Sequence, residues 1–259
     1  MTYVIADNIL SPLGQTSEEN YLSVKTGKSM LHAYEAGSYE VQDGFCASLI
    51  GEGEDAENGM GHSAERMLKT PFERLAFASA KRAMLQSGID FAHQRVLFIL
   101  STTKGAIEGL GALDDEEIFL GTIAQRIATA LGIQTKPIVV CNACISGLSA
   151  LILADRLLAA DEKVAGCFGF DFVASGPTAS YDYAVVCGAD SPRRFIISGF
   201  QSLKALSTEP CRPFDMERFG LNLGEAAATI VLGRNEAESK RLAASRLSVG
   251  NGLSRKNAW

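Results

Sequence analysis

Residues 137–151 read PIVVCNACISGLSAL, an uncharged stretch that changes character half-way along. Its opening, Ile138-Val139-Val140, is β-branched, and its close, from Ser146 onward, is rich in Leu, Ala and small residues. Such a change predicts a buried strand that passes directly into a buried helix. The run to Ala154 approaches the length of a membrane-spanning helix, but Pro137, Asn142, Ser146, Gly147 and Ser149 interrupt it. The strand-to-helix reading is therefore preferred to a membrane span.

Outward from this stretch, other segments repeat the alternation. Arg95–Leu100 is apolar almost throughout, as a strand covered on both faces requires. Thr70-Pro71-Phe72-Glu73 has the spacing of a capping box with proline at the first helical position. The helix it opens ends at Gly88. Thr122–Leu131 predicts an amphipathic helix stopped by Gly132, and a helix follows from about Ile145 to Ala160. Strands are expected at Tyr3–Ala6, in Glu40–Ile50, at Tyr183–Cys187 and at Ala226–Leu232, and a short helix from Thr16 or Ser17 to Val24, closed by Gly27. Gly51–Gly61 reads as an exposed loop. Together these predict an α/β layered fold with a mostly parallel central sheet and helices on both faces.

The chain has 259 residues, 47% of them hydrophobic and 21% charged, with net charge −6. That is the composition of an ordinary soluble domain, without the clustered basic excess of a nucleic-acid binder. MTYVIADNIL lacks the features of a secretory signal, so a reducing cytoplasmic setting is expected. There the six cysteines (46, 141, 144, 167, 187 and 211) are packed or catalytic thiols rather than a disulfide framework.

The Cys141-Asn-Ala-Cys144 spacing admits several readings. A zinc site needs about four ligands, and no second Cys pair or His pair is present at ligand spacing. A thioredoxin-like redox pair also follows a strand, but no other feature of that fold accompanies it. Cys141 is expected to be a packed residue at the end of the strand. Cys144 sits where unpaired amides and the positive end of a helix dipole favour the thiolate. The same amides can hold an oxyanion, and Gly147 would leave room for a substrate or a neighbouring backbone. A nucleophilic Cys144 is the sharper expectation.

Asn142-Ala143-Cys144-Ile145-Ser146-Gly147 resembles the nucleophile signature of the β-ketoacyl-[acyl carrier protein] synthases, in the thiolase-like superfamily. Arg212-Pro213-Phe214-Asp215, then Gly220 and Gly224-Glu225-Ala226-Ala227, resembles their second signature. Ser11-Pro12-Leu13-Gly14, Ser101-Thr102-Thr103-Lys104-Gly105, and Gly199-Phe200 before Ala205-Leu206-Ser207 follow the family's order. The resemblance implies acyl transfer from a carrier protein to Cys144, whose own amide is one oxyanion donor. A decarboxylative Claisen condensation with a malonyl-carrier thioester follows. It implies no cofactor or metal, no nucleic-acid or membrane partner, and homodimers formed through Pro137–Cys141 or pairing with a synthase-like subunit.

Residues 1–259 correspond to the N-terminal half of a fold that the family usually builds from two related halves, with the C-terminal half absent. Residues 161–180 look like an insertion. The family's two catalytic histidines and its lysine belong to the second half, and His32, His62 and His93 match no family motif. Condensation by this chain alone is therefore not expected. Asp215 and Glu225 are expected to be buried carboxylates that satisfy backbone amides rather than act on substrate. A non-catalytic partner subunit and a CxxC redox module are the competing functions.

Overall fold

The computed structural model describes residues 2–51, 66–91, 94–159 and 181–234. Five strands form the main sheet: β1 (Tyr3–Leu10), β4 (Val96–Ser101), β5 (Ile138–Val140), β6 (Tyr183–Asp190) and β8 (Ala226–Gly233), in the order β1-β8-β6-β4-β5. A smaller sheet joins β2 (His32–Tyr34), β3 (Phe45–Ser48) and β7 (Leu223–Gly224). The helices are α1 (Ser17–Lys25), α2 (Pro71–Ser87), α3 (Asp115–Ile118), α4 (Leu120–Ala130), α5 (Ser146–Ala159) and α6 (Arg194–Ser202).

β4 explains the layering. All six of its residues are buried, and alternate side chains point to opposite faces. Val96, Phe98 and Leu100 join Phe72, Leu75 and Ala76 of α2 and Ile123 and Ile127 of α4 on one face. Leu97 and Ile99 join Ala150, Ala154 and Leu158 of α5 on the other. Those α5 residues recur every fourth position, and the two alanines let the helix lie close to the sheet.

The capping box of α2 forms as expected. Thr70 Oγ1 accepts the Glu73 amide at 3.2 Å, and Glu73 Oε2 accepts the Thr70 amide at 2.9 Å. Glu73 is fully buried, and its other oxygen accepts Arg126 Nε of α4 at 2.6 Å, tying the two helices together. Gly88 caps the far end at φ 64°.

The sheet is mostly parallel in strand direction, as expected, with β8 alone running against the other four strands. β6, β4 and β5 are parallel, whereas β6–β8 and β1–β8 are antiparallel. The physical reason lies in α6, which packs on the small sheet through Ile197, beside Val41, Phe45 and Ala47, instead of crossing over the main one. The chain therefore re-enters the main sheet from the end at which it left, and β8 runs back along β6. The Glu40–Ile50 segment holds only a short strand, Phe45–Ser48, preceded by a 3-10 turn at Ser38–Glu40. Residues 52–61 and 161–180 lie outside the described residues, so the exposed-loop and insertion expectations fall there.

Candidate active site at the strand-to-helix junction

The parallel strands β4, β5 and β6 end side by side, at Ser101, Val140 and Asp190. Carboxyl ends of parallel strands are where open α/β sheets place their ligands. The loop after β4 is pinned there from both sides. The Thr102 amide donates to Val140 O at 3.2 Å. Asp190 Oδ1 accepts Thr102 Oγ1 at 3.0 Å, the Thr103 amide at 3.0 Å and Thr103 Oγ1 at 2.8 Å.

β5 stops at Val140, and within five residues the chain has reversed into α5. Ala143 makes this possible with φ 45°, a left-handed conformation that a non-glycine residue adopts only at a cost. Ser146 holds the reversal. Its hydroxyl donates to Ala143 O at 2.6 Å and accepts the Asn142 amide at 2.8 Å, and its own amide donates to Ala143 O at 3.2 Å. Asn142 Nδ2 reaches Ser149 Oγ on the next turn at 3.1 Å. Cys144 is thereby fixed on the outside of a sharp turn, exposed, two residues ahead of the first helical residue. The Ser146 hydroxyl sets the turn, and no periodicity in the sequence signals that.

One expectation at the junction needs correction. Cys141 is exposed rather than packed, because β5 ends one residue earlier and lies at the edge of the sheet. Its Sγ donates to Thr103 O at 3.3 Å. Gly147 is also exposed, and a Cβ placed there would meet nothing within 4 Å. No neighbouring backbone of the described residues requires glycine at that position.

Glu225 behaves as expected. It is 3% exposed; Oε2 accepts the Ile50 amide at 2.9 Å and Arg193 Nη1 at 3.1 Å. Oε1 accepts Ser191 Oγ at 2.6 Å and pairs with Arg193 Nη2 at 2.9 Å. Asp215 is not buried, which corrects half of that expectation. It lies in an exposed loop where Oδ1 accepts the Glu217 amide at 2.8 Å and Oδ2 is 3.7 Å from Arg212. The surrounding Phe214, Met216 and Phe219 are 99%, 96% and 76% exposed.

Near Glu225, burial pushes the Glu108 carboxyl above its ordinary range, more than the Phe72 amide at 3.2 Å and the Arg193 charge can offset. Its Oε2 is buried and has no hydrogen-bond partner among the described residues. Among the described residues no His, Cys, Asp and Glu cluster could hold a metal ion, and no helix is long and apolar enough to cross a membrane. His32 is exposed on β2, and His62 and His93 lie outside the described residues.

Residues 177–238 match the family model described as beta-ketoacyl synthase, N-terminal domain. The structure superposes on a beta-ketoacyl synthase from Burkholderia phymatum STM815 with a TM-score of 0.71 at 18% identity, covering 93% of this chain and 60% of that one. The chain has the ketosynthase fold. A ketosynthase from Xenorhabdus doucetiae, solved in complex with its chain length factor, gives 0.68 at 23% identity, over 90% of this chain and 58% of that one. In sequence, the chain is 26% identical to 3-oxoacyl-[acyl-carrier-protein] synthase 2 of Rhizobium meliloti (strain 1021) over an alignment of 289 residues. That alignment takes in 97% of this chain and 63% of the relative. The resemblance drawn from the two signatures thus extends to the three-dimensional structure. In the ketosynthase fold of this chain, Cys144 occupies the turn between β5 and α5, and Glu225 the single residue between β7 and β8.

Proposed function

We propose that Cys144 is the acyl-accepting nucleophile of a condensing enzyme of the 3-oxoacyl-[acyl carrier protein] synthase type. The observation that carries this reading is its exposed thiol on a strained turn, held by Ser146 at the mouth of the parallel strands. The thiolate attacks the carbonyl carbon of an acyl-carrier thioester. The oxyanion so formed is met by the Cys144 amide, and collapse expels the carrier thiol and leaves a Cys144 thioester. In the full reaction a malonyl-carrier thioester then loses carbon dioxide, and its carbanion attacks the Cys144 thioester to give a β-ketoacyl product.

These 259 residues carry three histidines, none of them after Cys144. The family's catalytic histidines belong to its second half, so we assign acyl loading, not condensation, to these 259 residues by themselves. Dimerisation through the β5 edge, or pairing with a synthase-like subunit, would cover Ile145, Leu148 and Ile152, which are 56%, 61% and 45% exposed. A non-catalytic, chain-length-factor type of subunit is the second reading. The ketosynthase–chain length factor complex among its structural neighbours favours it, and the exposed Cys144 opposes it.

Brief alkylation with iodoacetamide at neutral pH, followed by peptide mapping, tests the assignment. Preferential labelling of Cys144 over Cys141 and Cys211, which are also exposed, is expected. Equal labelling of the three would contradict it, and reversible pairing of Cys141 with Cys144 would favour the redox reading.

A further inference from the structure

The second signature begins one residue after Cys211, and the structure ties the backbone of that cysteine to the backbone of Cys46. Cys46 lies in the middle of β3. Its neighbours Phe45 and Ala47 face the cluster around Ile197, so the Cys46 side chain faces the opposite side of the small sheet. The segment leading to Cys211 runs beside β3 at Cys46. The Cys46 amide donates to Ser207 O at 2.8 Å. Asn222 then joins the two cysteine residues with one carboxamide. Its Nδ2 donates to Cys46 O at 3.1 Å, and its Oδ1 accepts the Cys211 amide at 2.6 Å. Nδ2 also reaches Glu209 O at 3.0 Å, so the loop is held to β3 at two points.

The thiols differ in access. Cys46 is 1% exposed, whereas Cys211 is open to solvent. Burial, and secondarily the nearby Cys211, push the Cys46 thiol up. Cys211 is therefore the thiol that an external reagent meets first, and Cys46 the one that can answer it from within.

We propose that Cys46 and Cys211 form a redox-responsive pair, oxidised by a low-molecular-weight disulfide to a bond that staples the second-signature loop onto β3. In the first step the Cys211 thiolate attacks one sulfur of glutathione disulfide, forming a mixed disulfide and releasing one glutathione thiolate. In the second the Cys46 thiolate attacks Cys211 Sγ, forming the internal disulfide and releasing the second glutathione. Two protein thiols are oxidised, one glutathione disulfide is reduced to two glutathione thiols, and the two protons lost by the protein thiols end on the two glutathione sulfurs. The loop from Glu209 to Phe219 is largely exposed, and the bond requires a Cα separation of 4.4–6.8 Å between the two cysteines. The pair is independent of any role of Cys144.

The test is incubation of the full chain with excess glutathione disulfide at pH 8.5, acid quenching and peptide mapping without reductant. A linked Cys46–Cys211 peptide pair is expected, with loss of both thiols and their recovery in dithiothreitol. Cys46→Ser should stop at a glutathione adduct on Cys211, and Cys211→Ser, at an exposed site, should leave Cys46 unmodified. A persistent adduct on Cys211 beside a free Cys46 in the parent chain would overturn the proposal. So would linkage of either cysteine to any other, including Cys211 to Cys211 between chains.

Discussion

Replacing Glu225 by alanine removes the acceptor on which three groups converge: the Ile50 amide, the Ser191 hydroxyl and the Arg193 guanidinium. Arg193 is only 21% exposed and stacks over the Tyr39 ring at 5.8 Å, so it has little freedom to find water. Breaking a buried ion pair from one side costs about 3–5 kcal/mol, and an orphaned amide about 1–3 kcal/mol. The contributions overlap, and Arg193 keeps some solvent, so roughly 3 kcal/mol is the expected loss for Glu225→Ala. For a domain of this size that is a fall in Tm of roughly 6–12 °C. Glu225→Gln keeps an acceptor for the Ile50 amide and should lose about half as much. Urea unfolding followed by circular dichroism gives the totals, and hydrogen exchange at the Ile50 amide gives the local effect. A loss below about 1 kcal/mol for alanine, or equal losses for alanine and glutamine, would refute the reasoning.

Three further outcomes follow from single sites. Glu108→Gln should raise the unfolding midpoint at pH 7, because the native carboxylate carries a buried oxygen, unpartnered among the described residues, and its burial favours the protonated form. A group raised above its unfolded value stabilises below that value and loses the contribution as pH rises, so the gain should vanish near pH 4. Burial pushes the Cys187 thiol from 9.0 up to about 11, against a smaller opposing effect of the Thr229 hydroxyl. Its contribution is complete below pH 9 and is lost between pH 9 and 11, roughly 3 kcal/mol in all, and Cys187→Ala should unfold without that alkaline component. Gly220 has φ 130°, and a Cβ there would lie 2.6 Å from Ala205 O, so Gly220→Ala should lower stability by roughly 1–3 kcal/mol in thermal melts.

The segments legible in the sequence are those whose signals are local. Thr70-Pro71-Phe72-Glu73 predicts its own helix start because the capping box is closed by residues three apart. The uniformly apolar Val96–Leu100 reads correctly as a strand covered on both faces, since no water-facing side remains to be polar. The direction of β8 is not legible, because it depends on where α6 packs, and that is decided by Ile197 meeting residues more than a hundred positions away. β2 is missed for a related reason: three residues pair only because β3 offers them an edge.

At the site, the position of Cys144 is legible from the change of composition across it, and Glu225 from its motif. The exposure of Cys141 is not, since it depends on β5 ending at Val140 and having no further neighbour in the described sheet. Nor is the work of Ser146, whose hydroxyl is called on only once Ala143 has turned left-handed.

The central claim is that Cys144 carries the acyl group, and the direct measurement is intact-protein and peptide mass spectrometry after incubation with an acyl-[acyl carrier protein]. One acyl group per chain is expected, on the Cys144 peptide, removable by hydroxylamine and lost in Cys144→Ser while Cys141→Ser retains it. An unmodified Cys144, or acyl groups spread evenly over Cys141, Cys144 and Cys211, would contradict the account.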